Sequence, residues 1–174
     1  GLVMDSDAKT TLAFVDNDET GDRSFSFYRK PGADMMLRED EVNYELIDNC
    51  RIFHFGSLSM TDEAVRSATY AMVDYAKKKN KIISFDPNLR PPLWESEDLA
   101  AKQIWYGIEQ CDILKIADNE IEWLTGTDDY DKGIEIIRER THAKLINVTL
   151  GPNGSIAYYG NHKVFMEPYL NKDT

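Results

Sequence analysis

Apolar and polar positions alternate with two different periods along this chain, and the change of period divides it into two parts. Residues 10–15 and 23–29 are rich in Thr, Val and aromatic side chains, and the second segment alternates Phe25 and Phe27 with Ser and Tyr. A period of two predicts strands with one covered face. The acidic, turn-rich segment between the two strands predicts a hairpin.

From residue 51 onward, short apolar segments alternate with amphipathic stretches. The apolar segments predict strands at residues 51–55, 81–85, 112–116 and 144–149. The amphipathic stretches predict helices at residues 61–79, 96–110 and 119–125, and a further helix that carries Ile134 and Ile137. Ser96 is a candidate N-cap and Gly126 a candidate C-cap. This alternation predicts an α/β fold with a parallel sheet flanked by helices, and residues 155–159 and 163–167 predict a C-terminal β-hairpin.

Length, charge and cysteine content exclude several classes of protein. The 174 residues suffice for one core, and 20 Lys and Arg against 31 Asp and Glu give a net charge of −11, which argues against a nucleic-acid partner. No apolar run approaches the roughly 18 residues of a membrane span, and no signal-peptide pattern is present, so we expect no membrane association and a cytoplasmic location. Cys50 and Cys111 form neither a zinc pattern nor a disulfide framework.

Three polar residues follow the second predicted parallel strand, where ligands bind in open parallel sheets. Asp86, Asn88 and Arg90 would project on a common side if the segment stays extended after Pro87. Arg suits bidentate binding of carboxylate or phosphate oxygens, so the group is a candidate contact for an anionic substrate or a transferring phosphate. The structural alternative is an Asp86–Arg90 ion pair that stiffens a proline-rich loop.

Asn119 and Glu122 follow the third predicted parallel strand and share one face of the first turn of a helix. A carboxylate beside a phosphate requires a cation, so Glu122 suggests Mg²⁺ held partly through water. The structural alternative is a cap in which Asn119 accepts a backbone N–H and Glu122 reaches back.

Residues 149–154 follow the fourth predicted strand and include Thr149, Gly151 and Gly154. The loop lacks the Gly-Lys-Ser/Thr of a Walker A motif. A tight turn before the hairpin would use the same glycines, so this loop alone is weak evidence for a phosphate site.

Taken in order, the segments TLAFV, FYRKPGADM, FHFGS, FDPNLRPPLW, NEIEWLTG and VTLGPNGS resemble the ribokinase-like (PfkB) family of ATP-dependent sugar kinases. FYRKPGADM and DPNLRPPLW are most similar to its fructokinase branch. The resemblance covers residues 10 to about 169. It implies a ribokinase-like fold in which residues 1–34 form a small β lid and residues 35–174 a partial α/β core.

The resemblance also implies roles for individual residues. For the sugar end of the cleft it implies substrate contacts from Tyr28, Arg29, Asp86 and Asn88, with Ala33 and Asp34 at the hinge, and a catalytic role for Arg90. For the nucleotide end it implies that Asn119 and Glu122 match an NxxE motif, with Glu122 at the metal and Asn119, Thr149, Gly151 and Gly154 at ATP. It further implies a homodimer through the lid.

The activity that the resemblance implies is ATP- and Mg²⁺-dependent phosphorylation of a sugar hydroxyl, with fructose as the first candidate substrate. A sugar acid such as 2-keto-3-deoxygluconate is the alternative, because Tyr28, Arg29 and Arg90 could hold a carboxylate. The family's N-terminal Gly-Gly segment and its GAGD motif, which carries the catalytic Asp, have no counterpart in this sequence. We therefore expect this chain alone to be inactive, and a sugar- or nucleotide-binding module without catalysis is a further alternative.

Overall fold

The computed structural model describes residues 2–18 and 23–169. The strands are β1 (Leu12–Asn17), β2 (Arg23–Tyr28), β3 (Ile52–Gly56), β4 (Ile82–Asp86), β5 (Ile113–Ala117), β6 (Leu145–Thr149), β7 (Ser155–Tyr159) and β8 (His162–Met166). The helices are α1 (Tyr44–Asp48), α2 (Glu63–Lys78), α3 (Glu97–Gln110), α4 (Asp118–Thr125) and α5 (Tyr130–Arg138). The predicted strands and helices are confirmed with small shifts at their ends, whereas α1 was not predicted.

Six strands form one sheet in the order β3-β4-β5-β6-β7-β8. The first four are parallel, and β7 and β8 continue the sheet in antiparallel orientation. This arrangement confirms the predicted parallel sheet and the C-terminal hairpin. Since parallel strands share a direction, the loops that follow β3, β4, β5 and β6 all lie at one edge of the sheet.

The five helices named above pack against one face of this sheet. Only alternate strand residues, those of one parity, are buried, and their side chains all lie on that face. The buried strand residues are Phe55, Ile83, Phe85, Leu114, Ile116, Ile146, Val148, Ile156 and Tyr158. They form a single cluster with Ile47, Val73, Ala76, Ile104, Ile108, Ile121, Ile134 and Ile137 of the helices. We call this side the covered face. The other parity, which carries Asp86 and Lys115, is the open face among the described residues.

Two helix ends and one helix contact follow from single residues. The Ser96 hydroxyl accepts a hydrogen bond from the Leu99 amide at 3.1 Å, and Gly126 ends α4 with φ of 74°, so both predicted caps are confirmed. Gly107 lets α3 approach the sheet closely, because a Cβ there would lie 2.3 Å from the ring of the fully buried Phe85.

Strands β1 and β2 form a separate antiparallel hairpin, as predicted. Its register gives it two faces: the inner face carries Ala13, Val15, Phe25 and Phe27, and the outer face carries Leu12, Phe14, Ser26 and Tyr28. Of the acidic turn predicted between the strands, residues 19–22 lie outside the described part of the chain. Within residues 2–18 and 23–169, no helix has the length and apolar character needed to cross a membrane.

Candidate active site

The edge at which the four parallel strands end gathers the predicted polar segments, and we call it the crevice edge. Gly56 at the end of β3 pairs with Asp86 at the end of β4, and Ala117 at the end of β5 pairs with Thr149 at the end of β6. The predicted site residues therefore lie at the ends of strands, in the loops that follow them or on α4 at this edge: Asp86, Asn88, Arg90, Asn119, Glu122, Thr149, Gly151 and Gly154.

The segment after β4 does not stay extended. Asn88 adopts a left-handed backbone with φ of 45°, and its amide donates to Asp86 Oδ1 at 3.2 Å. The alternation that would have placed Asp86, Asn88 and Arg90 on one side is therefore broken. The Asp86 carboxylate is paired with Lys115 of β5, whose Nζ lies 3.2 Å from Oδ1. The structural alternative, an Asp86–Arg90 ion pair, is wrong, because the Asp86 carboxylate is paired with Lys115 instead.

The loops after β3 and β4 are packed tightly together. A Cβ at Gly56 would lie 3.0 Å from the Asp86 carbonyl oxygen. The Ser57 side chain is fully buried and its hydroxyl donates to the carbonyl oxygen of Pro87, which also accepts from the Ser57 amide at 3.3 Å. These contacts fix where the chain leaves β4.

A buried carboxylate joins this loop to the next one. Glu120 is only 7% exposed, and its Oε1 accepts from the Leu89 amide at 2.6 Å while its Oε2 accepts from the Ala117 amide at 2.8 Å. The second bond satisfies an amide at the start of α4 that has no partner within the helix. Glu120 thus holds the residue 86–90 loop against the N-terminal end of α4.

Asn119 and Glu122 lie on the exposed surface of α4. The helix begins at Asp118, whose Oδ1 accepts from the Asn119 amide at 2.8 Å. The structural alternative, a cap by Asn119 and Glu122, is therefore wrong, because Glu120 is the side chain that reaches back, to the Ala117 amide. Among the described residues no hydrogen bond joins the Asn119 or Glu122 side chains to the residue 86–90 loop, and their roles at a metal or nucleotide stay predictions.

The glycines after β6 are required by the turn itself. Gly151 and Gly154 have φ of 54° and 95°, and the Leu150 amide donates to the Gly154 carbonyl at 2.9 Å. A Cβ at Gly154 would lie 2.2 Å from the carbonyl oxygen of Met166. The turn accounts for both glycines, so their predicted contact with a nucleotide rests on their place at the crevice edge.

Arg29 anchors the end of β2 to the core. This side chain is 7% exposed; its Nε donates to Asp34 Oδ2 at 2.7 Å, its Nη1 to Thr61 Oγ1 at 3.0 Å and its Nη2 to the Leu58 carbonyl at 3.1 Å. Thr11, just before β1, also donates to Asp34. Partial burial favours the neutral acid, but the hydrogen bonds from Arg29 and Thr11 outweigh it and hold the Asp34 pKa below its usual 3.8.

A cavity of about 640 Å³ lies between the hairpin and the residues that follow Arg90. Its lining includes Phe25, Tyr28 and Arg29 from the hairpin segment and Pro92 and Leu93 from the core. Tyr28 is 77% exposed, so its ring is available to a ligand. The hairpin therefore stands over the same edge of the sheet at which the polar loops meet.

Sequence reasoning missed three residues at this site: Lys115, Glu120 and Phe25. Lys115 had a signal, since a single charge inside the apolar strand ILKIA is unusual in a parallel sheet. Glu120 had no such signal. Its partner Ala117 has no side chain that can cap a helix, and the contact of Glu120 with the Leu89 amide, 31 residues away, depends on the fold. Phe25 was recognised as a strand residue, and its contact with Arg90 also depends on the fold.

Comparison with known proteins agrees with this architecture. A family model described as pfkB family carbohydrate kinase matches residues 1–173. The chain belongs to the PfkB family of carbohydrate kinases. Among PfkB relatives, "Probable fructokinase-2" of Arabidopsis thaliana is 44% identical over 158 residues, which are 91% of this chain and 48% of that protein. The chain spans about half the length of the curated relatives it matches.

Solved structures of fructokinases superpose on nearly all of this chain. A fructokinase from Xylella fastidiosa with bound ATP has a TM-score of 0.84 and 32% identity, over 97% of this chain and 52% of that one. A fructokinase from Vibrio cholerae O395 in a fructose, ADP and calcium ion bound form has a TM-score of 0.85 and 28% identity, over 97% and 54%. The ribokinase-like fold is therefore confirmed.

Proposed function

We propose that the protein to which this chain belongs transfers the γ-phosphoryl group of ATP to a hydroxyl group of fructose, in the cytoplasm. The observation that carries the proposal is that one edge of the sheet gathers both the cavity under the hairpin and the polar loops of four parallel strands. A sugar under the hairpin would thus lie beside the loops proposed for the nucleotide. The fructokinases that this chain resembles support the choice of substrate.

In this proposal residues 1–34 act as a lid over the core of residues 35–174. The sugar side is served by Tyr28, Arg29, Asp86 and Asn88, and Arg90 stabilises the transferring charge. ATP is bordered by Asn119, Thr149, Gly151 and Gly154, and Glu122 serves the metal. Arg90 lies against Phe25, which lines the cavity, and the sugar contact of Tyr28 rests on its place at the border of the cavity. Arg29 supports the sugar pocket chiefly by fixing the end of β2, since most of its N–H groups are already bonded.

The proposed step forms a bond between a fructose hydroxyl oxygen and the γ-phosphorus, and breaks the bond from that phosphorus to the β-γ bridging oxygen. ADP leaves with the electron pair, and the hydroxyl proton passes to a base. Such transfer depends mainly on positioning and on stabilising the phosphoryl charge. Arg90, on the loop fixed by Ser57 and Glu120, supplies a positioned positive charge for this purpose.

The described residues suit a magnesium ion that arrives with the nucleotide. Residues 2–18 and 23–169 contain no group of three or more His, Cys, Asp or Glu side chains able to hold a metal by themselves. Mg²⁺ in phosphoryl-transfer sites is held by substrate phosphates, waters and one or two carboxylates. Glu122, exposed in the middle of α4, could supply one carboxylate through water, and the ion would neutralise phosphate charge.

Fructose is preferred over a sugar acid because of the contacts of Arg29. A sugar acid would need a free cation for its carboxylate, yet the charge of Arg29 is balanced by Asp34 at 2.6 Å. Of the residues that could hold a carboxylate, Arg90 and Tyr28 remain. Only Arg90 is a cation, and the transferring phosphate also requires its charge. The sugar acid is therefore the second candidate substrate.

The proposal is tested by coupled ADP release with ATP and Mg²⁺, using the 174-residue chain and the complete protein from its reading frame. Fructose and 2-keto-3-deoxygluconate are compared. We expect activity with fructose from the complete protein and none from the chain alone. Arg90→Lys should lower kcat on the order of 100-fold, whereas Arg51→Lys, at the opposite edge of the sheet, should not. Absence of ADP release with any sugar contradicts the kinase proposal and favours a binding module.

We also propose a homodimer through the lid. The outer face of the hairpin exposes Leu12 and Phe14, which are 53% and 63% accessible. Adjacent exposed apolar residues on a two-stranded sheet favour burial against a second copy. Sedimentation of the wild type and of Phe14→Lys tests this: the variant should shift toward monomer, and an unchanged dimer contradicts the assignment of this face.

A further inference from the structure

The guanidinium of Arg90 lies over the ring of Phe25, with Cζ 5.2 Å from the ring centroid. The same side chain donates from Nη1 to the Leu89 carbonyl at 2.9 Å. Arg90 belongs to the core loop after β4, whereas Phe25 belongs to β2 of the hairpin. This contact therefore crosses from the hairpin to the core at the place where we assign the stabilising charge.

The hairpin register explains why an aromatic ring is available there. Phe25 and Phe27 lie on the same inner face, with ring centroids 6.1 Å apart and planes 11° apart. The face of an aromatic ring is electronegative and attracts a cation that lies over it, and arginine is well suited because its guanidinium is planar. An aliphatic side chain of similar size would fill the space without this attraction.

The core side of the contact leaves Arg90 with few other restraints. The neighbouring Asp86 carboxylate is paired with Lys115 and accepts a hydrogen bond from the Asn88 amide. Among the described residues, the guanidinium contacts the carbonyl of the adjacent Leu89 and the Phe25 ring, and the ring is the contact that links it to the hairpin.

We propose that Phe25 is a positioning residue for Arg90, which couples the placement of the hairpin to the placement of the charge used in phosphoryl transfer. Phe25 acts through the guanidinium: when the hairpin covers the sugar, its ring holds the charge toward the reacting phosphate. The inference rests on the proposed function and assigns a second task to the hairpin, beyond covering the substrate.

The test compares Phe25→Leu with Phe25→Trp in the complete protein, with Phe165→Leu on β8 as a matched control. Loss of the cation–π contact should lower kcat about five- to twenty-fold with the KM for ATP unchanged. Trp should restore kcat, because it retains an aromatic face, and Phe165→Leu should change neither constant. Equal losses from Leu and Trp, or a loss confined to KM, overturn the proposal.

A double-mutant cycle separates positioning through Arg90 from a general effect on the fold. In an Arg90→Ala background, Phe25→Leu should cause little further loss of kcat, because the group on which it acts is gone. The same fold-loss in both backgrounds overturns the proposal.

A measurement without catalysis separates this inference from the proposed function. If the wild type transfers no phosphoryl group, the proposed function fails, and the contact itself is tested by the melting temperatures of the 174-residue chain. Phe25→Leu and Arg90→Ala should then give shifts that are smaller together than their sum. Additive shifts show that the two side chains do not interact and overturn the inference.

Discussion

Replacement of Glu120 tests how the two central loops of the site are held together. Its carboxylate accepts one amide from the loop after β4 and one from the start of α4, at 2.6 and 2.8 Å. Both partners are donors, so the side chain must offer two acceptors. Glutamine offers one acceptor oxygen and turns its NH₂ group toward the other amide, and alanine offers none.

The magnitude follows from the number of bonds lost. A hydrogen bond to a charged group contributes about 1.5–3 kcal/mol, so Glu120→Gln should cost about 2 kcal/mol and Glu120→Ala about 3–5 kcal/mol. In a chain of this size each kcal/mol lowers the melting temperature by roughly 2–4 °C, which gives about 4–8 °C for Gln and about 6–20 °C for Ala.

Thermal unfolding of the 174-residue chain, followed by circular dichroism, measures both changes without requiring catalysis. Glu135→Gln is the matched control, because it removes the same charge from the exposed surface of α5 and should leave the melting temperature within about 1 °C. Hydrogen exchange of the Leu89 amide should also accelerate in both Glu120 variants. An unchanged melting temperature in Glu120→Ala would refute the view that this carboxylate joins the two loops.

Three further predictions concern stability. Because the Asp34 pKa is below 3.8 in the folded protein, the contribution of Asp34 to the free energy of unfolding is complete above pH 3.8 and is lost as the pH falls through the folded pKa. In urea titrations the stability advantage of the wild type over Asp34→Asn should therefore shrink below about pH 4. A constant advantage contradicts this prediction. Gly154→Ala should cost at least about 1–3 kcal/mol by chemical denaturation, because its Cβ would meet the Met166 carbonyl and its φ is positive; a neutral result contradicts the close approach. Gly107→Ala should lower the melting temperature although alanine favours helix by about 1 kcal/mol, since its Cβ would clash with the Phe85 ring, and a raised melting temperature would show that the ring can move.

Local pattern predicted the secondary structure well because each element carried its own signal. The alternation around Phe25 and Phe27 predicted a hairpin, and short apolar segments between amphipathic stretches predicted the parallel sheet. The position of the candidate site at the ends of those strands followed from the topology alone.

Contacts within the site were harder to predict, because they depend on backbone conformation and on partners distant in sequence. The left-handed conformation of Asn88 ended the extended alternation on which a common side for Asp86 and Arg90 depended. The carboxylate of Glu120 found an amide 31 residues away, where spacing rules had favoured Glu122. Such contacts are fixed by how loops meet, and loop geometry has no period to detect.

The strict parity of the sheet has a consequence for how this site can change during evolution. Asp86, Lys115 and Asn147 stand side by side on one row of the open face, because their strands are in register. Deleting one residue within β5 would turn Lys115 to the covered face, where its charge would be buried among isoleucines and leucines. Substitution along the row keeps the register intact. Point mutations can therefore change the side chains at this edge without shifting the register, whereas insertions and deletions are tolerated only in the loops between strands.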